Sequence, residues 1–430
     1  MMVILGRIKG FFNIQSTKGL FARNTLWMSL GFASRTGIQV VYFIIIARTL
    51  KPEAYGVYAG SLALVFALLP FVSWGSGNIL IKQVSRNPGC FPDYWGMALS
   101  VTLLSAFLIF ILSGAVGALM LSPKVAWSLV LPIAAGSFFG DNVALLCGQA
   151  FQAHQQLSRT SIISIVMASY RLVSALLLLF FPIAKTAENW AVFFMVSGLL
   201  SGFTGLILVK RELGWGPLGL WPMHGNWREG FFFAIGLSAQ GAYNDIDKTL
   251  LVRLASGAAA GTYAAAYRIM NSAFIPVVAM IYAGYPRFFQ EGEKGIKGTS
   301  RFALRLLPWA AGWALVVGLG LPLVAPLLPL ILGNEYAETS QILLWLAPIP
   351  LFKAFHWIAA DSLTGSGFQG LRSGVQICIA LLNLGLNLWW IPTYGWLGAA
   401  WSSLISDGVL AVSLWGLSSA LLAKERHIKV

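Results

Sequence analysis

Apolar stretches of roughly 20 residues, bounded by charged residues, Pro, Gly or Trp, follow one another along almost the whole chain. A helix needs roughly 20 apolar residues to cross the hydrocarbon core of a bilayer, which is about 30 Å thick. Only 10% of the 430 residues are charged, 57% are hydrophobic, and the mean hydropathy is +0.75. These values exclude a soluble globular chain, a disordered chain and a disulfide scaffold. The sequence therefore predicts a polytopic membrane protein with short connections.

We predict an all-α membrane protein with twelve transmembrane helices. Their approximate ranges are 24–47, 54–80, 94–121, 126–151, 160–182, 189–210, 229–254, 261–286, 302–328, 340–364, 373–391 and 395–422.

The distribution of positive charge predicts how the spans are oriented. Of the 29 Lys and Arg residues, 19 fall on the side that carries both termini, 6 fall on the opposite side and 4 lie inside spans. Because segments rich in Lys and Arg stay in the cytoplasm, we expect both termini there. Anionic lipid headgroups beside these segments account for most of the formal net charge of +14, so no nucleic-acid partner is predicted.

An internal repeat divides the chain into two halves. Residues 47–59 align without a gap with residues 252–264, and four pairs match at an offset of 205: Arg48 with Arg253, Gly56 with Gly261, Tyr58 with Tyr263 and Ala59 with Ala264. Six helices separate the copies, so both copies run in the same direction and a pseudo-two-fold axis along the membrane normal relates the halves.

The repeat and the longest connection together predict the domain organisation. The predicted parts are a cytoplasmic interfacial segment at 1–23, an N-lobe of six helices at 24–210, a cytoplasmic linker at 211–228, a C-lobe of six helices at 229–422 and a cytoplasmic tail at 423–430.

Cations inside the predicted spans mark a candidate binding site. A charge at mid-bilayer costs at least about 2.5–3.5 kcal/mol, so each one needs a partner or a hydrated cavity. Arg is well suited to anions because its planar guanidinium makes bidentate hydrogen bonds to phosphate and stays charged when desolvated. We expect a central cavity that binds an anionic substrate through four cations and two amides on the same polar helix faces: Arg35, Arg171, Arg268, Lys353, Gln39 and Asn271.

A structural interpretation of the same charges stays open. Buried ion pairs also fix helix packing, with Asp141 neutralising Arg171, and Asp245 or Asp247 neutralising Lys248 or Arg268. A free imidazole titrates near neutrality, so His356 could serve a proton relay, or it could simply donate a structural hydrogen bond. Three widely spaced cysteines without a CxxC pair predict neither a metal site nor a disulfide framework, and no cofactor is expected.

Three motifs in order resemble a known family. The first is ARTLKPEAYGVYAGSLAL, the second is YNDIDKTLLVRLASGAAAGTYAAAYRI from Tyr243 to Ile269, and the third is NLWWIPTYGWLGAAW from Asn387 to Trp401. They are similar to the matching parts of bacterial polysaccharide transporters, the O-antigen flippase group of the multidrug/oligosaccharidyl-lipid/polysaccharide exporter superfamily. The resemblance covers nearly the whole chain.

The resemblance implies two six-helix lobes around a central cavity that opens to each side of the inner membrane in turn. Its implied substrate is a polyprenyl-pyrophosphate-linked oligosaccharide, moved to the outer leaflet for O-antigen or other surface polysaccharide synthesis. Arg35 and Arg268, with Lys353 and Arg171, would hold the pyrophosphate or acidic sugars. Coupling to a proton or sodium gradient makes four acids candidates for the ion site: Asp141, Asp245, Asp247 and Asp407.

The resemblance also implies the surroundings of the protein: membrane lipids, and a polysaccharide polymerase and a chain-length regulator as partners. The cavity needs no second subunit, so we expect a monomer.

Other functions are weighed against this one. A multidrug-type cation antiporter of the same superfamily is the main alternative, although central Arg and Lys disfavour a cationic cargo. Flippases of cell-wall precursors have a related fold but usually fourteen helices. A membrane enzyme such as a polymerase or ligase would need a large extramembrane loop, paired carboxylates or a metal constellation. The predicted outer loops are short and the sequence shows no such constellation, so we predict that the protein is not an enzyme.

Overall fold

The computed structural model describes residues 17–220 and 227–428, and these residues form helices and short connections without any strand. The main helices are α1 (Thr17–Leu68), α2 (Ser76–Val84), α3 (Phe91–Met120), α4 (Asn142–Ala153), α5 (Leu157–Phe180), α6 (Ala187–Glu212), α7 (Trp227–Leu254), α8 (Gly257–Gly292), α9 (Ile296–Val324), α10 (Ile349–Gly365), α11 (Gln369–Tyr394) and α12 (Trp396–Ile428). Short helical segments extend several of them: Pro70–Ser73, Pro88–Cys90, Pro123–Val125, Ala126–Val130, Leu131–Ala135, Gly136–Asp141, Ala325–Leu327, Leu328–Leu332, Asn334–Tyr336 and Ala337–Leu346.

The helical architecture follows from the lipid environment of the chain. A lipid bilayer offers no hydrogen-bond partners to the backbone, so a spanning segment satisfies its N–H and C=O groups within one helix. Within residues 17–220 and 227–428, nine helices are long and apolar enough to cross a membrane, or ten if the bent pair Asn334–Leu346 and Ile349–Gly365 counts as one span. The all-α prediction is confirmed, and the number twelve stays a prediction.

Helix α1 joins two predicted spans across a sharp bend. Lys51 has φ 62° and ψ 166°, outside the helical region, and Pro52 follows it. The proline ring clashes with a helical conformation at the preceding residue and has no N–H for the helix, which explains the break at this point. The predicted interfacial segment at 1–23 lies mostly outside the described residues, and helix is already present at Thr17.

The chain divides into two compact units. The first consists of Met1–Ile46, Leu68–Val116 and Ala126–Ala234, and the second of Ala47–Ala67, Gly117–Val125 and Ile235–Val430. The predicted lobes were continuous in sequence. Two segments of the N-terminal half, Ala47–Ala67 and Gly117–Val125, fall in the second unit, and the lobe boundaries stay a prediction.

Glycines bring helices of the first unit into close contact. The segment Gly136–Asp141 is a π-helical turn, and an added Cβ at Gly136 or Gly140 would overlap the backbone of α6. On α6, Gly198 and Gly202 face these two glycines in return. Small residues spaced four apart let helix backbones approach closely in membranes, and this contact places the end of the π-turn against α6.

Both copies of the sequence repeat lie in the second unit, and they pack against each other. An added Cβ at Gly56 would overlap the carbonyl oxygen of Gly257, and one at Gly261 would overlap that of Pro52. Since 52 and 257 are also related by the offset of 205, the contact is reciprocal and has local two-fold symmetry. The Glu53 carboxylate accepts a hydrogen bond from the backbone N–H of its counterpart Ala258 at 2.7 Å, at the N-terminus of α8.

The repeat-related arginines make equivalent contacts. Arg48 donates to the carbonyl oxygens of Leu330 and Ile331, each at 2.6 Å. Arg253 donates to those of Leu119 at 2.6 Å and Met120 at 3.1 Å. Each guanidinium thus caps carbonyls at the end of a long apolar helical segment, where a cation also interacts favourably with the helix dipole.

Candidate functional site: two buried polar clusters

The first unit holds a buried ion pair between Arg171 on α5 and Asp141 at the end of the π-turn. The guanidinium donates to Asp141 Oδ2 at 2.5 Å, to the carbonyl oxygen of Phe194 at 2.5 Å and to Ser197 Oγ at 2.7 Å. Its carbon atom also lies 3.3 Å from the centroid of the Phe194 ring. Both terminal nitrogens of the guanidinium therefore have partners from neighbouring helical segments, and this geometry matches the structural interpretation of the pair.

Arg35 and Gln39 lie on α1 in the first unit, and both side chains are half-buried. They are four residues apart, so they share a helix face as the sequence predicts. Arg35 is close enough to contribute to the electrostatic field at Asp141. The first unit therefore brings together three predicted site residues: Arg35, Asp141 and Arg171.

The second unit contains a buried lysine enclosed by oxygen atoms of its own helix, α7. Lys248 Nζ donates to Asp245 Oδ1 at 2.6 Å and to the carbonyl oxygen of Asn244 at 3.0 Å, and it lies 3.4 Å from Asp247 Oδ1. Burial of an ammonium group is tolerated when carboxylates compensate its charge. The predicted pairing of these acids with Lys248 is present in the structure.

Tyr263 and Ser403 complete the surroundings of Asp247, and sequence reasoning did not assign either of them to the site. The Tyr263 hydroxyl donates to Asp247 Oδ2 at 2.8 Å, and Ser403 Oγ donates to the same atom at 3.3 Å. Two signals pointed at these residues: Tyr263 belongs to the repeat, and Ser403 lies four residues before Asp407, on the same face of α12.

Lys353 on α10 is a second buried lysine, and its environment differs. Its side chain is 4% exposed, and its ammonium donates to Asn271 Oδ1 on α8 at 3.1 Å. The Tyr267 ring lies between the two lysines, with its centroid 4.1 Å from Lys248 Nζ and 4.8 Å from Lys353 Nζ. Within the described residues, no carboxylate lies within 4.0 Å of Lys353 Nζ. Lys353 and Asn271, both predicted site residues, are therefore direct neighbours.

Arg268 lies on α8 between Tyr267 and Asn271, and its side chain is half-buried. The backbone carbonyl of Arg268 accepts a hydrogen bond from Ser272 Oγ at 2.8 Å. Arg268 is a third cation of this unit, after Lys248 and Lys353. It is close in sequence to Tyr267 and Asn271, the residues that contact Lys353.

His356 and Asp407 form a separate pair in the same unit. His356 Nε2 lies 3.0 Å from Asp407 Oδ1, and the two side chains are 2% and 3% exposed. The Tyr243 ring meets the imidazole edge-on, with the ring centroids 6.4 Å apart. Asp407 was a predicted ion-site residue. For its partner His356 the sequence left two roles open, a proton relay and a structural hydrogen bond.

The buried charged side chains differ in the charge of their partners. Asp141, Asp245 and Asp247 each face a cation that is charged at neutral pH. By contrast, the hydrogen-bond acceptor of the Lys353 ammonium is a neutral amide, that of Asn271. No group of three or more His, Cys, Asp or Glu side chains in the described part of the chain is arranged to hold a metal ion.

Comparison with solved structures identifies the class of fold. The chain matches an inward-facing multidrug resistance MATE family transporter of the MOP superfamily with a TM-score of 0.74 and 13% identity, over 93% of this chain and 99% of that one. It matches the lipid II flippase MurJ in an inward closed conformation with a TM-score of 0.70 and 13% identity, over 90% of this chain and 86% of that one.

A third match is a MOP superfamily transporter from Pyrococcus furiosus that has a binding pocket of reverse polarity. Its TM-score is 0.65 and its identity 14%, over 93% of this chain and 95% of that one. At these identities the likeness establishes the fold, which is that of MOP superfamily membrane transporters. A search of curated proteins finds no match.

The family is established by sequence. The model of the polysaccharide biosynthesis protein family matches residues 21–291, which is more than half of the chain. The protein therefore belongs to the polysaccharide biosynthesis protein family, and the predicted resemblance to polysaccharide transporters is confirmed.

Proposed function

We propose that the protein is a flippase that moves a polyprenyl-pyrophosphate-linked oligosaccharide from the cytoplasmic to the outer leaflet, by alternating access coupled to an ion gradient. The family supports a cargo used in polysaccharide synthesis, and the fold supports transport across a membrane. A flippase of lipid-linked sugars satisfies both.

One observation carries the proposal: a buried ammonium with a neutral partner. Lys353 is as buried as Lys248, but its hydrogen-bond acceptor is the Asn271 amide, whereas Lys248 is held by carboxylates. A buried cation is costly unless a counter-charge reaches it. A pyrophosphate supplies that counter-charge and several acceptor oxygens, which makes Lys353 the residue best placed to bind an anionic cargo.

Arg268 and Arg35 extend this interpretation as additional anion ligands. Both are half-buried, so both retain access to a ligand that reaches their unit. In the second unit, Asn271 would add an amide hydrogen bond to an anion bound by Lys353, and in the first unit Gln39 would add one to an anion bound by Arg35. Arg171 has a different role in the proposal, because its guanidinium already contacts Asp141, Phe194 and Ser197 and holds helices together.

The proposal is tested in proteoliposomes that contain a fluorescent polyprenyl-pyrophosphate oligosaccharide, with its sugar scored by a membrane-impermeant lectin. Lys353→Met should slow translocation by about 10–100-fold, because a hydrogen bond to a charged group contributes about 1.5–3 kcal/mol. Lys294→Met is the matched control, since the Lys294 side chain is 68% exposed, and it should translocate at the wild-type rate.

Two results would contradict the proposal. Translocation by Lys353→Met at the wild-type rate would remove the lysine from the binding site. Translocation by the wild type no faster than in protein-free vesicles, together with efflux of a cationic dye, would favour the multidrug antiporter instead. That alternative shares the fold of the MATE transporter.

The setting of the protein forms part of the same proposal. We place it in the bacterial inner membrane as a monomer with both termini in the cytoplasm, beside a polysaccharide polymerase and a chain-length regulator. It would carry out transport without catalysing a reaction.

A further inference from the structure

Helices α3 and α9 occupy equivalent places in the two halves of the sequence. Helix α3 begins at Phe91 and α9 begins at Ile296, and these two positions are related by the same offset of 205 as the repeat. Each helix belongs to a segment that is long and apolar enough to cross a membrane. The first turns of the two helices can therefore be compared residue by residue.

The chain itself lies against the beginning of α3 in the first unit. An added Cβ at Gly96 would overlap the backbone of residues 216–219, and the carbonyl group of Pro92 is equally close to the same segment. Ser100 Oγ accepts a hydrogen bond from the backbone N–H of Gly219 at 3.1 Å. Since Pro92, Gly96 and Ser100 are spaced four apart, one side of α3 makes all three contacts.

The counterparts of these three residues on α9 are cations. At the offset of 205 they are Lys297, Arg301 and Arg305, and all three are exposed. Among the described residues, no carboxylate oxygen lies within 4.0 Å of their side-chain nitrogens. The side of the helix that contacts residues 216–219 in the first unit is thus an exposed row of positive charge in the second.

Three acids lie close to the beginning of α9: Glu291, Glu293 and Glu425. Glu291 is already bound by Lys294, whose ammonium donates to it at 2.8 Å. That bond, together with the fields of Arg305 and Arg301, lowers the pKa of Glu291. The segment from Glu291 to Arg305 carries four cations and two acids, so positive charge stays in excess.

The row of cations lies at the end of a helix that is longer than the hydrocarbon core. Helix α9 has 29 residues, which span about 43 Å, against about 30 Å for the core. After Arg305 the sequence has no charged residue until Glu335. Trp309 and Trp313 follow at the same spacing of four and are 75% and 47% exposed, as is typical of residues at the membrane interface. The apolar part of α9 therefore fills the core and leaves the cations at the level of the lipid headgroups.

We propose that Lys297, Arg301 and Arg305 bind the phosphate group of an anionic phospholipid, whose acyl chains lie along the exposed apolar side of the same helix. Arg and Lys make charge-assisted hydrogen bonds to phosphate oxygens, and basic clusters beside a spanning helix attract anionic headgroups. On α9 the lipid takes the place that residues 216–219 take on α3. The inference rests on the membrane-spanning fold and is independent of the proposed function.

A general attraction between basic segments and lipid would not distinguish these cations from others. Lys210 and Arg211 at the end of α6 are exposed as well. They are adjacent in sequence and therefore point to different sides of their helix, whereas Arg301 and Arg305 are four apart and can converge on one phosphate. The pair on α6 is thus a matched control for the pair on α9.

The first test is native mass spectrometry of the purified full chain, titrated with phosphatidylglycerol or with phosphatidylcholine of the same acyl chains. Arg301→Gln/Arg305→Gln should weaken the binding of the first phosphatidylglycerol by about 25-fold, because each cation near a membrane surface contributes about fivefold. Phosphatidylcholine should bind equally to both proteins. Lys210→Gln/Arg211→Gln should keep the wild-type affinity for phosphatidylglycerol. Equal losses in the two double variants, or a wild type without preference for the anionic lipid, would overturn the proposal.

The second test locates the lipid on the unaltered protein in liposomes. Phosphatidylglycerol with a photoreactive group on its headgroup should label peptides that contain residues 296–309, and unlabelled phosphatidylglycerol should compete. Labelling concentrated elsewhere would overturn the site. So would displacement of the label by a polyprenyl pyrophosphate at a much lower concentration than by phosphatidylglycerol, because the site would then belong to the cargo. Neither test involves translocation, so failure of the flippase assay leaves this inference standing and its own failure leaves the proposed function.

Discussion

The ion pair of Arg171 and Asp141 allows a sharp prediction about stability. Replacing Asp141 with Asn removes the counter-charge and leaves the guanidinium, whose side chain is 7% exposed, inside the first unit. Breaking a buried pair by removing one partner costs about 3–5 kcal/mol. Because the Asp141 side chain is 27% exposed and Asn keeps an acceptor oxygen, we expect the lower end, about 3 kcal/mol.

The double variant Asp141→Asn/Arg171→Met should recover much of this loss, because it removes both charges and keeps an apolar chain of similar length. About 1 kcal/mol should remain, since the acceptors Phe194 O and Ser197 Oγ lose their donor. The control is Arg159→Met: its ion pair with Glu212 has side chains 43% and 28% exposed, so its loss should cost at most about 1 kcal/mol.

The assay is reversible unfolding of the purified protein in mixed micelles by increasing fractions of SDS, followed by tryptophan fluorescence. A double-mutant cycle on the wild type, Asp141→Asn, Arg171→Met and the double variant gives the coupling energy between the two side chains. A single variant within about 0.5 kcal/mol of the wild type, or a double variant no more stable than Asp141→Asn, would refute the view that this pair stabilises the first unit.

Three further predictions follow from close contacts in the second unit, and each is measured in the same unfolding assay. Gly56→Ala should destabilise the protein by about 1–3 kcal/mol because its Cβ overlaps a backbone carbonyl. The control Gly385→Ala lies in open space on a helix and should stabilise the protein by up to about 1 kcal/mol. Equal effects of the two substitutions on stability would contradict the close contact at Gly56. Arg48→Met and Arg253→Met should destabilise by similar amounts, since their contacts are equivalent, and a loss confined to one of them would contradict that equivalence. Tyr263→Phe should cost about 1–3 kcal/mol by removing a donor from a buried carboxylate, and an unchanged stability would show that this hydrogen bond is dispensable.

Local sequence features predicted the positions of polar residues along each helix. Gln39 and Arg35 share a face because residues four apart do so in any α-helix, and the same reasoning placed Asn271 beside Arg268. The bend at Lys51 could also have been predicted, because Pro52 disfavours helix at the residue before it. No local sequence signal predicted the π-turn at Gly136–Asp141, where the backbone of α6 approaches closely.

The sequence suggested the pairing of Asp141 with Arg171 but left open whether each cation is paired or lines a cavity, because that choice depends on distances between helices far apart in the chain. Arg171 and Lys353 were equivalent as predicted cavity cations. The structure separates them, since one is bound by a carboxylate and the other by an amide. The offset of 205 identified the repeat, but only the structure showed that its copies touch each other.

The sequence by itself determined that this is an all-helical membrane protein with an internal repeat and charges inside its spans. Hydropathy and helical periodicity are local properties, and the absence of water in a bilayer leaves few other folds for such a chain. Tertiary structure decided which of those charges are compensated. Electrostatic compensation requires two groups to lie within a few ångströms of each other, and here most of the partners come from different helices.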